Sequence, residues 1–514
     1  MAHMKKIAHL LLGRFSIVAL TIILQFVWLV LVMYRFSYQF TYANLAIRLI
    51  AVILVLVIVN KWTNPANKLS WTFIILLSPM VGLMLYTIFG RSELTKKTER
   101  RLDTIVKEVG AYFYQTPEIK EDLEQKDKAV LGQSKYINDW GGYPIYRNTQ
   151  TKYYRSGEEM FPDMLKELEK AEHFIFLEYF IIEEGYMFDT MTEILARKAA
   201  EGVDVRVIYD DIGCISTLPP KYNKKLESMG IKCAVFNPFR PIMSVVMNNR
   251  DHRKIFVVDG KVGFTGGINL ADEYINEKSR FGYWKDTGVR LEGEAVWNLT
   301  AMFLTAWSYV NHSREDYKEY MPQIYQTELP ETDGYVQPYG DSPLDHETVG
   351  ENIYLNMIND AENYVYIFTP YLIIDNEMLV SLCNAAKRGV DVRIVTPGIP
   401  DKKLIFLLTQ SHYEPLLRAG VKIYQYTPGF IHAKSFLCDD KVGTVGSINL
   451  DYRSLYLHFE CGVFMYRTKA LEQLKQDCLD TFEQSEEMTL EFCRNQNVFI
   501  RILQGMMRLV APLL

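Results

Sequence analysis

Hydrophobic and polar positions divide this chain into an apolar beginning and an alternating body. Residues 15–33 (FSIVALTIILQFVWLVLVM) carry no charge over 19 positions, long enough to cross the hydrocarbon core of a bilayer as a helix. Residues 42–59 (YANLAIRLIAVILVLVIV) form a second such run, with Arg48 near one end, where its head can reach the headgroups. A third run, 69–89 (LSWTFIILLSPMVGLMLYTIF), is interrupted by Pro79 and Gly82, so it either spans or dips in and returns.

Beyond residue 101 short apolar strands alternate with helical stretches, and the series is written twice. Residues 171–182 (AEHFIFLEYFII), 200–208 (AEGVDVRVI) and 230–236 (GIKCAVF) return as 361–374 (AENYVYIFTPYLII), 387–395 (KRGVDVRIV) and 420–426 (GVKIYQY). Apolar, β-branched strands separated by helices predict an α/β fold, with a largely parallel or mixed sheet covered by helices. The pattern predicts two α/β sandwich halves, 146–325 and 326–490, related by a pseudo-twofold axis. An all-α transmembrane region (1–101) and a connector (102–145) precede them, and an amphipathic segment (491–514) follows. Within that segment, 497–514 (NVFIRILQGMMRLVAPLL) suits either the bilayer interface or docking on the body. Residues 240–249 (RPIMSVVMNN) occur only in the first copy, as a loop that either touches lipid or packs locally.

Charge sharpens this division. Residues 1–101 carry 12 Lys/Arg and 2 Asp/Glu, a net of +10, whereas the whole chain is at −6, leaving −16 on the remainder. The basic clusters Lys5, Lys6, Arg14 and Arg91, Lys96, Lys97, Arg100, Arg101 both favour the cytoplasmic side, which places the body there as part of a multi-pass membrane protein. The seven cysteines are scattered and never spaced C-x-x-C, so a disulfide or zinc framework is not expected. An acidic body also disfavours a nucleic-acid partner.

The chemistry lies in a phrase repeated inside each half: HRKIFVVDGKVGFTGGIN at 252–269 and HAKSFLCDDKVGTVGSIN at 432–449. On a strand, residues two apart share a face, so His252 with Lys254, and His432 with Lys434, point into one pocket. Asp259 and Asp439 have the opposite parity and open turn sequences, which gives them a supporting role. The Gly-x-x-Asn that follows brings Gly267 and Asn269, or Ser447 and Asn449, back towards the pocket as candidate phosphate-binding groups. Two imidazoles and two ammonium groups suit phosphoryl transfer: one histidine as nucleophile, the other as proton carrier, the lysines neutralising phosphate charge. Asp286 and Glu460, each on the strand after its motif, are candidates to orient the histidines. A single such pattern could arise by chance, but two at matched positions in a repeated fold do not.

The paired H-x-K-x4-D…G-x-x-N resembles the signature of the phospholipase D superfamily. With SPMVGLMLYTIFGR, GGINLADEY, GSINLDYRS and the ending APLL, the whole chain resembles the bacterial cardiolipin synthases of that superfamily. The resemblance implies two phospholipase-D-like halves and a membrane enzyme. That enzyme would join two phosphatidylglycerols into cardiolipin, release glycerol, and need no metal or nucleotide cofactor. It carries His252, Lys254, Asp259, His432, Lys434 and Asp439 to the catalytic site. An extra apolar run ahead of the usual pair departs from the family pattern. Hydrolysis to phosphatidic acid, headgroup exchange with phosphatidylethanolamine, a non-catalytic membrane scaffold and self-association remain open at this level.

Overall fold

The computed structural model describes residues 23–28, 30–32, 35, 41–90, 96–238, 249–326, 334–345 and 347–513. Most of the first apolar run, and the 240–249 loop apart from Asn249, lie outside them.

Among the described residues one helix, α1 (Thr41–Val59), is long and apolar enough to cross a membrane. At 1.5 Å per residue it extends roughly 28 Å, and Leu45, Leu49 and Leu56 along it are more than half exposed. The third run, with the residues just before it, forms two helices, α2 (Pro65–Leu77) and α3 (Pro79–Phe89), each starting on a proline. Proline cannot continue the preceding ladder, so the chain turns at Ser78 and α3 folds back on α2. Gly82 allows the close approach, because a Cβ there would lie 2.4 Å from the Ile75 Cα. Neither helix alone has the length of a span.

The body contains two large mixed sheets. The first is built from β1 (Thr149–Tyr154), β2 (Phe174–Tyr179), β3 (Asp204–Asp210), β4 (Lys232–Phe236), β6 (Lys254–Val258), β7 (Val262–Gly266) and β9 (Gly288–Gly293), with the short β5 (Arg250–Asp251) and β8 (Tyr283–Lys285) pairing elsewhere. Its order is β1-β9-β7-β6-β2-β3-β4. The parallel trio β2-β3-β4 is connected through helices Tyr186–Ala200 and Tyr222–Ser228. The second sheet uses β10 (Tyr335–Asp341), β11 (Tyr364–Phe368), β13 (Asp391–Pro397), β14 (Lys422–Tyr426), β16 (Ser435–Cys438), β17 (Val442–Gly446), β19 (His458–Tyr466) and β20 (Ser485–Glu487). The short β12 (Leu372–Ile373), β15 (Gly429–Ile431) and β18 (Leu450–Asp451) stand off it. Its order, β10-β19-β17-β16-β11-β13-β14, repeats that of the first strand for strand, with β20 added at one edge.

Strand β2 is buried at all six positions, as a strand covered on both faces must be. Outer helices cover one face of each sheet, and the inner faces share a core with α4 (Val296–Asn311) and the helix Lys469–Glu483. Phe176 of β2 stacks on Phe303 of α4 with ring centroids 4.4 Å apart. After Gln410, which ends α5 (Lys403–Gln410), the chain continues to the C-terminal α6 (Val498–Val510). Helix α6 docks on α2, where Ser70 Oγ donates to the Leu509 carbonyl at 2.6 Å, and leaves Phe499, Ile502 and Met506 exposed on its other side. One side of this helix is thus docked and the other open.

Candidate active site

The β6–β7 and β16–β17 hairpins turn on Asp259-Gly260 and Asp439-Asp440, all at positive φ (52°, 61°, 55° and 57°), the geometry of the tight primed hairpin turn. Each aspartate then caps the opening of the neighbouring strand. Asp259 accepts from the backbone N–H groups of Glu172, His173 and Phe174 at 2.8–2.9 Å, and Asp439 from those of Glu362, Asn363 and Tyr364 at 2.7–2.8 Å. These carboxylates sit at the far end of the strand from the motif histidines. The catalytic placement of Asp259 and Asp439 is thus corrected to a structural one, in keeping with their parity. We expect Asp259→Ala to lower unfolding free energy by about 3 kcal/mol, since three amides lose a charged acceptor. Asp259→Asn, which tolerates the left-handed backbone, recovers part of it. Thermal melts check this, and a variant as stable as the parent contradicts it.

At the other end of β6 the histidine stands just before the strand, not on it. The interruption has a cause. The His252 N–H donates to the Phe459 carbonyl at 2.9 Å, and β5 runs parallel to the start of β19, Arg250 opposite His458 and Asp251 opposite Phe459. Continuing that register sets His252 beside Glu460. Its counterpart is built the same way: β15 runs parallel to β8, Ile431 opposite Lys285, and the His432 N–H donates to the Lys285 carbonyl at 2.7 Å. That register sets His432 beside Asp286.

The imidazole–carboxylate pairing is consequently crossed between the repeats. His252 Nδ1 donates to both Glu460 oxygens at 2.9 and 3.0 Å, and His432 Nδ1 donates to Asp286 Oδ2 at 2.6 Å. A carboxylate acceptor fixes the proton on Nδ1 and leaves the Nε2 lone pair for chemistry. Lys254 Nζ donates to the His252 carbonyl at 2.5 Å, and Lys434 Nζ to the His432 carbonyl, so each lysine is folded back beside its own histidine. Phe180 packs edge-on to His252 at 4.9 Å, and Tyr274 and Trp284 pack on His432, each at 5.5 Å.

Burial governs the charges. It lowers His252 to about 3 and His432 to about 4, with the adjoining carboxylates offsetting only part, so both imidazoles are neutral near pH 7. Burial likewise lowers Lys254 to about 8 and Lys434 to about 7, against the pull of Glu460 and Asp286. Burial alone would raise the two carboxylates. For Asp286 the neighbouring His432 and Lys434, and for Glu460 the neighbouring His252, outweigh it and hold both below the usual range.

Two of the groups expected to face phosphate face these carboxylates instead. A Cβ on Gly267 would lie 2.1 Å from Asp286 Oδ1, and its N–H donates to the Thr287 carbonyl at 3.0 Å. Ser447 Oγ donates to Glu460 Oε2 at 2.5 Å, and its N–H to the Cys461 carbonyl at 2.9 Å. Both are corrected to supports of the orienting carboxylates. Asn269 is tied down: its Oδ1 accepts from the Ile181 N–H at 3.0 Å and its Nδ2 donates to the Tyr274 hydroxyl at 2.8 Å. Asn449 differs, with a buried Oδ1 that has no hydrogen-bond partner.

A third imidazole escapes motif reasoning. The His458 ring lies 5.6 Å from that of His252, and its Nδ1 is 3.8 Å from Glu460 Oε1. The available signal was its place two residues before Glu460 on β19, hence on the same face. Ligand atoms of His252, His458 and Glu460 lie within 4.8 Å of one another, a donor set of the kind that holds a zinc-like cation.

Residues 164–280 and 354–482 match the family described as cardiolipin synthase, PLD-like domain, and 49–91 match a phospholipase D-nuclease N-terminal family. A cardiolipin synthase of Alkalihalophilus pseudofirmus is 33% identical over 458 residues, covering 88% of this chain and 90% of that one. The chain belongs to the cardiolipin synthase family. An uncharacterized protein of Streptococcus mutans is 47% identical over 464 residues, 90% of this chain and 99% of its own. In fold the chain is similar to the phosphatidylserine synthase of Haemophilus influenzae, with a TM-score of 0.56 at 14% identity over 76% of this chain and all of that one. As in this family, the body is a mixed α/β fold of the phospholipase D type, and the apolar helix α1 associates it with membrane.

Proposed function

We propose that this member of the cardiolipin synthase family transfers a phosphatidyl group from one phosphatidylglycerol to another, giving cardiolipin and glycerol. The observation that carries the reading is the pair of Nδ1-anchored imidazoles, each flanked by a lysine and each oriented by the opposite repeat. The two repeats act as halves about a pseudo-twofold axis, 146–325 and 326–490, behind a multi-pass, all-α membrane region that keeps the body on the cytoplasmic side.

The donor phosphodiester sits between Lys254 and Lys434, whose ammonium groups neutralise it. Its negative charge in turn raises the neighbouring basic groups, so that His432 can carry a proton. His252 Nε2 attacks phosphorus; a P–N bond forms, the P–O bond to the headgroup breaks, and the departing glycerol oxygen takes the proton from His432 Nε2. In the second step the terminal hydroxyl of another phosphatidylglycerol attacks the same phosphorus. The new P–O bond forms, the P–N electron pair returns to His252, and the hydroxyl proton passes to His432. Diester is exchanged for diester, so little bond energy changes and the direction follows lipid concentrations.

Protein purified in detergent and given phosphatidylglycerol alone should form cardiolipin and glycerol in equal amounts, read by thin-layer chromatography and a glycerol assay. Phosphatidic acid as the only product would replace this reading with a hydrolase.

The free-enzyme charges predict the pH response. Nucleophilic attack needs neutral imidazole, and phosphate capture needs protonated lysine. We expect kcat/KM to fall as pH drops through about 3, where His252 takes a proton and loses its nucleophilic lone pair. It should also fall as pH rises through about 7 and 8, where Lys434 and then Lys254 lose theirs. Bound anion raises both lysines, so the alkaline limb of kcat lies above that of kcat/KM. Coincident alkaline limbs would argue against phosphate capture by these lysines.

A further inference from the structure

A cavity of about 1190 Å³ opens between the membrane helices and the second half of the body. That exceeds the volume of ordinary small-molecule sites, roughly 300–1,000 Å³. The end of α1 and the residues just after it line it with Ile58, Lys61 and the fully exposed Trp62, residue types suited to the headgroup level of a bilayer. Trp71 and Ile74 of α2 and Leu85 and Phe89 of α3 give it an apolar wall, and Lys61 with Lys68 a cationic rim. A polar wall faces them. The Tyr456 hydroxyl donates to a Glu351 carboxylate oxygen at 2.8 Å and also lies 2.8 Å from Asp375 Oδ2, while Asn64 Nδ2 donates to Asp375 Oδ2 at 2.9 Å.

His458 lines this cavity too, and its ring lies 5.6 Å from that of His252. Its side chain is about nine-tenths buried, and neither ring nitrogen has a hydrogen-bond partner. An unsatisfied buried imidazole is costly unless a ligand completes it. Neither motif histidine lines the cavity, so a lipid seated there keeps its own phosphate outside the reacting pair and can present only its headgroup. That is the requirement for an acceptor, not a donor, whose phosphorus must lie at His252.

We propose that this cavity seats the acceptor phosphatidylglycerol, an anionic lipid with a polyol headgroup drawn from the bilayer at the end of α1, and that His458 receives its terminal hydroxyl. The inference rests on the cardiolipin synthase reading and assigns the place of the second substrate. Acyl chains lie against α2 and α3, phosphate at the lysine rim, and headgroup hydroxyls along the Glu351–Tyr456 wall. From His458 the hydroxyl oxygen attacks the phospho-His252 phosphorus, the P–N bond breaks, and the proton goes to His432.

The test measures how the phosphoenzyme divides between lipid and water. Ser342 and Leu355 also line the cavity, so Ser342→Trp and Leu355→Trp each place a large ring in it, and His458→Ala removes the contact nearest His252. With phosphatidylglycerol in detergent, the ratio of cardiolipin to phosphatidic acid should fall at least about tenfold in each. A ratio unchanged in all three, with wild type making cardiolipin, overturns the acceptor site and leaves the family reaction standing. Wild type making only phosphatidic acid overturns the reaction itself. Should the variants form neither product, wild-type protein decides. Phosphatidylglycerol with a photoreactive group near the top of an acyl chain should label peptides of α2 or α3, and the absence of such label overturns the proposal.

Discussion

Replacing His252 by alanine should reduce cardiolipin formation from phosphatidylglycerol by about 10⁴-fold or more, because the only route offered by the site runs through a bond to its Nε2. His432→Ala should be nearly as damaging with the natural donor, since glycerol is a poor leaving group without a proton. A phosphatidyl ester of p-nitrophenol separates the two roles. Its leaving group needs no proton, so His432→Ala should release p-nitrophenol in a burst and accumulate phospho-His252, whereas His252→Ala should show no burst. The opposite pattern would exchange the assignments, and a burst in neither variant would reject a covalent route altogether. Burial suits His252 to the nucleophile's role: at about 3, it is neutral across the working range.

The order of apolar strands and helices was readable because a strand covered on both faces must be apolar throughout, as β2 is. The repeated motif was likewise legible, since His, Lys and Gly-x-x-Asn recur at the same spacing in 252–269 and 432–449. Parity along the strand was enough to turn Asp259 and Asp439 away from the pocket. What could not be read was anything decided by docking of one repeat on the other. The partner of each histidine belongs to the opposite sheet, through ladders only two or three residues long between β5 and β19 and between β15 and β8. No local pattern encodes such a pairing. The same reason explains Gly267 and Ser447, whose neighbours are carboxylates that the fold brings to them. His458 was hidden for a different reason: it stands outside the repeated phrase, and its place two residues before Glu460 was its only mark.

Glu460→Gln should lower phosphoenzyme formation by roughly 10²–10⁴-fold, although the variant side chain has the same shape and can still accept from His252 Nδ1. The loss arises from charge and tautomer. As His252 Nε2 bonds to phosphorus its ring becomes cationic, and Glu460, ionised and fully buried, is the charge that stabilises it. An amide offers a dipole in its place, and its NH₂ end can turn towards the ring and favour the wrong tautomer. Asp286→Asn should be comparably harmful with phosphatidylglycerol, but through His432 and the proton. The activated p-nitrophenyl donor therefore distinguishes the two variants: Asp286→Asn regains the burst, and Glu460→Gln does not. If each carboxylate served the histidine of its own repeat, the recovery would appear in Glu460→Gln instead. Crossed pairing thus has a kinetic signature. A Glu460→Gln burst within about threefold of wild type would remove the carboxylate from the mechanism, because a buried charge 2.9 Å from the reacting imidazole cannot be neutralised without effect if the ring becomes cationic.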